Sequence, residues 1–346
     1  MINVGDRPIL GIETSCDETA AAVVAGSRIL SNVVSSSVDF HRRFGGVVPE
    51  IAARKQTELI SAVIKAALDD ARHSFEDIGG IAITIGPGLI GSLVVGVAAA
   101  KAVALARNLP IVGINHLEGH IYSNFLNAEG KADFNPPSLP AVALIVSGGH
   151  SHLVLMENHG RYRILGRTRD DASGEAFDKG ARLLGLGYPG GPAIDSASEN
   201  GDAAAVDFPR ANLGRSWDFS FSGVKTALAR YVQKTPESKR PPLADLSASY
   251  QEAVVEPLAR KAVAAALHCS CKTLLVCGGV AANRRLRSLV TASAEEANLD
   301  LRVPPLSLCT DNAAMMACAG HHKLAAGHRD DFSLDASASL PLKSWA

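Results

Sequence analysis

The sequence predicts an α/β protein of two lobes that are built on the same plan. Short apolar runs alternate with longer segments of helical periodicity, as in folds whose strands are connected by helices. The 346 residues exceed the usual size of one domain. An apolar strand, a turn of small polar residues and a returning strand open the chain, and the same pattern recurs after residue 140. We therefore expect two lobes of common ancestry with a cleft between them.

The predicted elements lie on both sides of a proline-rich break at 135–140, which is the candidate domain boundary. We assign 1–135 to the N-terminal lobe and 136–346 to the C-terminal lobe. The predicted strands are 9–12, 20–24, 81–85, 111–114, 141–146, 152–156 and 273–277, and the predicted helices are 49–68, 89–106, 116–126 and one from about 283. Helix 89–106 carries Lys101 and is mostly Ala, Gly and Val, so we interpret it as a buried core helix and not as a membrane span.

Composition limits the class of protein. The chain has 34 basic and 35 acidic side chains, so no overall field draws it to nucleic acid or to an anionic membrane. Its six cysteines form no Cys-x-x-Cys pair, which argues against a zinc ribbon or a thioredoxin-type site. The chain does not open with a basic segment followed by an apolar one, and we expect a soluble protein of the cytoplasm.

Two histidines form the first candidate site. His116 and His120 are four residues apart, so on a helix their imidazoles share one face and can bind one metal ion. Glu118 points away from that face, unlike the Glu of metalloproteases, and two surface histidines are the alternative. Asp311 is a candidate third ligand from the other lobe, with a helix cap as its alternative role. A site of two His and one carboxylate leaves positions open for substrate oxygens and suits Fe(II) or Zn(II).

Glycine-rich turns form the second candidate site. The segments 147–149 (Ser-Gly-Gly) and 278–279 (Gly-Gly) follow predicted strands and offer backbone N–H groups that no Cβ obstructs, as phosphate binding requires. Asp178 and Asp195 lie beside flexible glycines and are suited to accept the hydroxyls of a ribose. Ordinary turn and capping chemistry is the alternative for both carboxylates.

Ten short motifs occur in the order found in one known family. They are Gly-Ile-Glu-Thr-Ser-Cys-Asp-Glu-Thr (11–19), Phe-Gly-Gly-Val-Val-Pro-Glu (44–50), Gly-Pro-Gly (86–88), His-x-x-x-His (116–120), Ser-Gly-Gly-His (147–150), Gly-Glu-Ala-Phe-Asp-Lys (174–179), Tyr-Pro-Gly-Gly-Pro (188–192), Phe-Ser-Phe-Ser-Gly (219–223), Gly-Gly-Val-Ala-Ala-Asn (278–283) and Cys-Thr-Asp-Asn (309–312). With them the chain resembles the bacterial TsaD (Gcp) family, the tRNA N6-adenosine threonylcarbamoyltransferases, from about residue 9 to 340.

The resemblance implies an actin-like ATPase fold, shared with sugar kinases and actin, with a duplicated core and an inter-lobe cleft. It implies that a threonylcarbamoyl group passes from threonylcarbamoyl-adenylate to N6 of adenosine 37 in tRNAs that read codons starting with A, which gives threonylcarbamoyladenosine and AMP. It also implies one divalent ion, Fe(II) or Zn(II), on His116, His120 and Asp311, and an adenine nucleotide (threonylcarbamoyl-adenylate or ATP) as ligand. The family works with tRNA and two partner proteins, a TsaB-like paralogue of the same fold and a TsaE-like P-loop ATPase.

The same resemblance implies the substrate contacts, whereas the residues themselves suggest a general base and surfaces for tRNA. The family's substrate contacts fall on Ile145, Val146, Ser147, Gly148, Gly149, Asp178, Gly191, Asp195 and Asn283. The acidic turn with Glu13, Asp17 and Glu18 is the candidate source of a general base. The candidate basic surfaces for tRNA, each with a plain solvated face as its alternative, are Arg161/Arg163/Arg167/Arg169, Arg42/Arg43 and Arg284/Arg285/Arg287. The competing functions are an actin-fold small-molecule kinase or ATPase and a catalytically silent scaffold of the same complex.

Overall fold

A computed structural model describes residues 7–42, 44–211 and 213–346 of the chain. These residues form two compact units. Unit 1 is Met1–Pro136 together with Pro304–Ala346, and unit 2 is Pro137–Val303. The sequence prediction placed 136–346 in one lobe, whereas in the structure the C-terminal segment belongs to unit 1.

Unit 1 is built on a mixed sheet of five strands in the order β3-β2-β1-β4-β5. Strand β1 pairs antiparallel with β2 and parallel with β4. Strands β1 and β4 are mostly apolar and almost entirely buried, as expected for strands with both faces covered. The elements of residues 7–136 are β1 (Ile9–Glu13), β2 (Glu18–Ala25), β3 (Arg28–Ser36), α1 (Val38–Arg42), α2 (Pro49–Ala71), β4 (Gly80–Gly86), α3 (Ile90–Arg107), β5 (Ile111–Asn115) and α4 (His116–Tyr122).

Unit 2 repeats this plan. Its strands have the order β8-β7-β6-β9-β10, and β6 pairs antiparallel with β7 and parallel with β9, as β1 does with β2 and β4. The duplication predicted from the repeated strand–turn–strand pattern is therefore confirmed. The elements are β6 (Ala141–Val146), β7 (Ser151–Asn158), β8 (Arg161–Arg167), α5 (Ser173–Leu184), α6 (Gly190–Ala197), α7 (Ser222–Lys234), α8 (Leu243–His268), β9 (Thr273–Cys277), α9 (Arg284–Glu296) and β10 (Asp300–Arg302).

Helix α10 (Ala313–Ala325) explains why the C-terminal segment belongs to unit 1. Most of its Ala residues and its Gly are buried, and their small size allows the helix backbone to lie very close to the sheet. A Cβ at Gly11 of β1 would lie 2.2 Å from the carbonyl oxygen of Ala313, so only glycine permits this approach. From its position in the chain, this helix was expected to belong to the second lobe. It belongs to unit 1 because it is buried against the sheet of that unit.

Helix α3 buries one face and exposes the other. Val97 and Ala100 pack in the core with strands β1 and β4, whereas Ile90, Val94 and Leu105 are 51%, 49% and 71% exposed. The helix is long and apolar enough to cross a membrane by length and composition, a test that core helices of soluble proteins also pass. The predicted core helix is thus present, but only one of its faces is buried.

Candidate metal centre and glycine turns

The histidine pair lies on helix α4, which begins directly at the end of strand β5. Asn115 caps this helix, because its side-chain oxygen accepts a hydrogen bond of 2.9 Å from the backbone N–H of Leu117. The helix ends at Tyr122, earlier than the predicted limit at Leu126. His116 is 5% exposed and His120 is fully buried. The alternative of two surface histidines is therefore wrong.

Asp311 converges with both histidines, and all three residues belong to unit 1. Its Oδ1 lies 3.5 Å from Nε2 of His116 and 3.3 Å from Nε2 of His120. Ligands that bind one ion at about 2.0–2.2 Å have this spacing. Asp311 does not cap helix α10, because Asn312 does so by accepting from the backbone N–H of Met315 at 3.1 Å. The prediction that the aspartate comes from the other lobe is wrong, since α10 folds onto the sheet of unit 1.

The residues present fit a divalent metal ion. Neither ring nitrogen of the buried His120 has a hydrogen-bond partner among the described residues. Leaving such a group without a partner is costly in a protein interior. The ligand atoms of His116, His120 and Asp311 all lie within 4.8 Å of one another. One ion between them would give His120 its missing partner, and two nitrogens with one carboxylate suit Fe(II) or Zn(II).

Glu13 holds His116 from the other side of the ring. Its Oε2 lies 3.2 Å from Nδ1 of His116 and accepts from the hydroxyl of Thr84 at 2.6 Å. The backbone N–H of Ser15 donates to Oε1, and the Ser15 hydroxyl lies 3.1 Å from the same Nδ1. A carboxylate that contacts Nδ1 leaves Nε2 to bind a metal ion. Metal-binding histidines are usually oriented by such a contact at their other ring nitrogen. The structure therefore gives Glu13 an orienting contact with His116, and its role as general base stays a prediction.

Negative charge is concentrated around Asp311. Burial raises the pKa of Glu18, and the carboxylates of Asp311 and Asp17 raise it further. Burial also raises the pKa of the Cys16 thiol, with added effects of Asp17 and Asp311. Burial lowers the pKa of His116, but the carboxylates of Asp311 and Glu13 outweigh burial and raise it to about 9. A divalent cation would neutralise this excess of negative charge.

Three contacts fix the position of helix α4. Gly119 faces Met316 of α10, and a Cβ there would lie 2.2 Å from the Met316 Cε. On the side away from the histidines, the buried Glu118 accepts from the indole Nε1 of Trp345 at 2.5 Å. In the same C-terminal tail, the carbonyl of Leu340 accepts a hydrogen bond of 3.2 Å from the side-chain amide of Asn115. Glycine within a helix was a usable signal for the first contact, but no sequence pattern indicated the tail.

In unit 2, the two glycines of the turn after β6 are exposed to solvent. Ser147 is anchored, because its N–H donates to the carbonyl of His150 at 2.8 Å and its carbonyl accepts from Gly174 at 3.2 Å. Gly148 and Gly149 are exposed, and a Cβ at either would meet no heavy atom of the described residues within 4 Å. Ile145 and Val146 are fully buried in strand β6, so they support the turn.

The remaining predicted contacts in unit 2 already have protein partners. Asp178 accepts from the N–H of Gly190, the first residue of α6, at 2.7 Å, and burial raises the pKa of its carboxyl. Asp195 forms an ion pair of 2.8 Å with Arg284. Asn283 caps α9, and its amide nitrogen donates to Gln251 Oε1 at 2.7 Å. Gly191 is open: a Cβ there would meet none of the described residues within 4 Å. The capping role anticipated as an alternative is thus present at Asp178.

The predicted basic groups differ in availability. Arg284 and Arg285 are paired with carboxylates of Asp195, Glu199 and Glu252. Arg287 donates to the carbonyl of Ala281 at 2.7 Å. The side chains that alternate along β8 and its end are exposed: Arg161, Arg163, Arg167 and Arg169. Two of them also have carboxylate partners, Arg163 with Glu157 at 3.8 Å and Arg169 with Asp218 at 2.9 Å. Arg43 lies outside the described residues, as does the side chain of Arg42.

Comparison with known proteins gives a consistent family. The sequence profile of the family described as TsaD: tRNA N6-adenosine threonylcarbamoyltransferase matches residues 28–318. A curated protein of that name from Symbiobacterium thermophilum is 52% identical over 343 residues, which cover 99% of both chains. One from Clostridioides difficile is 48% identical over 98% of this chain and 99% of its own.

Solved structures with low sequence identity share the fold. The activator of the 2-hydroxyisocaproyl-CoA dehydratase from Clostridium difficile matches with a TM-score of 0.51 and 15% identity, over 92% of this chain and 96% of its own. Full-length HypF matches with a TM-score of 0.61 and 12% identity, over 93% of this chain and 47% of its own. These likenesses confirm the actin-like ATPase fold that was expected.

Proposed function

The chain belongs to the TsaD family of tRNA N6-adenosine threonylcarbamoyltransferases, and from this premise we propose the reaction in detail. The enzyme is a transferase that acts on tRNA adenosine. The donor is threonylcarbamoyl-adenylate, and the acceptor is N6 of adenosine 37 in tRNAs that read codons starting with A. A bond forms between N6 and the carbamoyl carbon, the bond from that carbon to the phosphate oxygen breaks, N6 loses a proton, and AMP leaves.

The observation that carries this proposal is the convergence of His116, His120 and Asp311 around unpartnered nitrogens of a buried histidine. These three residues would hold one divalent ion, Fe(II) or Zn(II). When bound, the ion supplies Lewis-acid polarisation of a carbamoyl or phosphate oxygen, which an adenine amine requires because it is a poor nucleophile. Glu13 keeps the His116 ring oriented for this role through the contact at Nδ1.

In unit 2 we assign the adenylate to the turn after β6 and its surroundings. The exposed Gly148 and Gly149 donate backbone N–H groups to phosphate oxygens. Asp178 and Asp195 accept hydrogen bonds from the hydroxyls of the ribose, and Asn283 lies at the nucleoside end of the adenylate. Two backbone hydrogen bonds hold Ser147 in place, so we expect the turn to be rigid before the ligand binds. A preorganised turn loses less conformational freedom on binding.

We also propose that the chain works in the cytoplasm with a TsaB-like paralogue and a TsaE-like P-loop ATPase. The exposed row of apolar side chains on helix α3 supports a protein partner, since Ile90, Val94 and Leu105 lie on the solvent side of the helix. A neutral chain with such a face is suited to association with another protein.

Product formation tests the proposal. The purified chain is mixed with its two partners, Fe(II) or Zn(II), threonylcarbamoyl-adenylate and tRNA, and the nucleosides of the digested tRNA are analysed by mass spectrometry. We expect threonylcarbamoyladenosine with the native chain and none with His116→Ala. Absence of the product from the native complex would contradict the proposal, and full nucleotide turnover by His116→Ala would favour a kinase or ATPase.

A further inference from the structure

A basic and aromatic cleft in unit 2 is not used by the reaction described above. Its volume is about 470 Å³, and it lies where segment 214–217 meets the C-terminal part of helix α8. The lining residues are Gly214, Arg215, Ser216, Trp217, Arg260, Lys261, Ala264 and His268.

The cleft lies at the β8 edge of the sheet in unit 2. The N–H of Phe219 donates to the carbonyl of Arg167 at 3.0 Å, and the N–H of Arg169 donates to the carbonyl of Phe219 at 2.9 Å. Gly166 allows this close approach, because a Cβ there would lie 2.3 Å from the carbonyl oxygen of Trp217. The exposed arginines at the end of β8 are therefore neighbours of the cleft.

Positive charge exceeds negative charge around the cleft. The charged side chains there are Arg169, Arg215, Arg260 and Lys261 against Asp218 and Glu256. Both carboxylates are already engaged, Asp218 with Arg169 at 2.9 Å and Glu256 with Arg260 at 2.8 Å. Arg215 is exposed at the rim. Burial lowers the pKa of Lys261, and the neighbouring Arg260 lowers it further. An anionic ligand would stabilise this group of cations.

An aromatic pair lies in the same cleft. The rings of Trp217 and His268 have centroids 5.5 Å apart, and the Trp217 side chain is half-buried. A flat, partly exposed indole beside arginines is the arrangement on which unpaired nucleic-acid bases stack while their phosphates contact the cations. An acidic peptide would need the cations but not the aromatic platform, so the cleft favours RNA.

We propose that this cleft binds the tRNA substrate, with one unpaired base stacked on Trp217 and the adjoining phosphates on Arg215 and Arg169. The inference rests on the proposed function, because it takes tRNA as the acceptor, and it adds where on unit 2 the RNA is held. Of the predicted basic groups, it selects the end of β8, because the Arg169 guanidinium lies 3.5 Å from the hydroxyl of Ser216 in the cleft lining.

Equilibrium binding of labelled tRNA, without adenylate, tests the cleft separately from catalysis. Trp217→Ala should weaken tRNA binding by about tenfold or more, whereas Trp217→Phe, which retains an aromatic ring, should stay within about threefold of the native affinity. Arg215→Ala should weaken binding and reduce the slope of log Kd against log salt by about one. Arg302→Ala is the matched control, because Arg302 lies on β10 at the opposite edge of the same sheet.

Fluorescence gives a second measurement, which uses the native protein and Trp217→Phe and does not depend on the more disruptive Trp217→Ala. The chain has two tryptophans, so tRNA should quench the indole emission of the native protein, and the quench should disappear in Trp217→Phe, which retains only Trp345. Native tRNA affinity in both Trp217→Ala and Arg215→Ala, or a quench that persists in Trp217→Phe, would overturn the cleft assignment while leaving the proposed reaction intact. A native complex that neither binds nor modifies tRNA would instead contradict the proposed function.

Discussion

The two units share one sheet order but differ in the turn that follows their first strand. In unit 1 the turn after β1 is partly buried and acidic, and Glu13, the last residue of β1, is hydrogen-bonded to Thr84 and lies against His116. In unit 2 the corresponding turn after β6 is exposed and contains Gly148 and Gly149, with open space around both. The same scaffold therefore places charged side chains after the first strand in one unit and bare backbone N–H groups in the other, and we propose a cation site in the first and an anion site in the second.

The difference teaches that the chemistry depends on the turn and on what packs behind it. Unit 1 adds helix α10, which brings Asp311 to the histidines of α4. The turn in unit 2 instead is braced by the N–H of Gly174 at the start of α5. Variants of each turn can break or sharpen this contrast.

The largest effect is expected from removing a ligand in unit 1. His120→Ala and Asp311→Ala should each abolish stoichiometric metal binding and lower threonylcarbamoyl transfer by at least about 100-fold, because a two-ligand site holds an ion weakly. Elemental analysis and nucleoside mass spectrometry measure the two effects. His73→Ala is the control, since this histidine follows α2 and contacts the carbonyl of Ala71. A variant with full metal content would contradict the site.

Glu13→Gln should weaken metal affinity by about 10- to 100-fold while the protein stays folded. The amide keeps the size of the side chain but loses the charge that faces Nδ1 of His116. Titration with Co(II), followed by its visible absorption, measures the affinity and also reports the ligand geometry. Glu58→Gln on α2 is the matched control, because the Glu58 carboxylate is exposed and forms an ion pair of 2.8 Å with Lys55. If Glu13→Gln bound Co(II) with the affinity of the native protein, the proposed role of Glu13 in orienting His116 would be wrong.

Metal affinity should rise with pH by about tenfold per unit between pH 7 and 9. Burial lowers the pKa of His116, but the carboxylates of Asp311 and Glu13 raise it to about 9, so a proton must leave before the ring binds an ion. Because this pKa is raised on folding, the metal-free protein should also lose stability as the pH rises towards 9. Zn(II) titrations and thermal unfolding at each pH check both trends. An affinity that is independent of pH in this range would refute the coupling.

The smallest effect is expected in unit 2, and it separates binding from folding. Gly148→Val should lower the affinity for AMP by about tenfold with an unchanged Tm, because a Cβ there meets no heavy atom of the described residues within 4 Å, while the larger side chain covers the exposed N–H groups. Gly174→Val should instead lower the Tm, since its Cβ would lie 2.6 Å from the carbonyl oxygen of Ser147. Calorimetry and thermal unfolding distinguish the two. A native AMP affinity in Gly148→Val would exclude this turn as the phosphate site.

The sequence by itself determined the class of fold, the duplicated opening and the main parts of the metal site. Alternating apolar runs and helical periods are local properties, so the strands and the Asn115 cap could be predicted from neighbouring residues. The spacing of His116 and His120 was sufficient to place both rings on one helical face, and the motif order indicated the family.

Only the tertiary structure decided which unit holds Asp311 and what surrounds the histidines. Contacts between residues far apart in the chain depend on close packing, such as that of Gly11 on Ala313, and no local pattern encodes it. The same holds for Trp345 on Glu118, where the partners are 227 residues apart. Burial, which removed the alternative of surface histidines, is likewise a property of the folded chain and not of the segment.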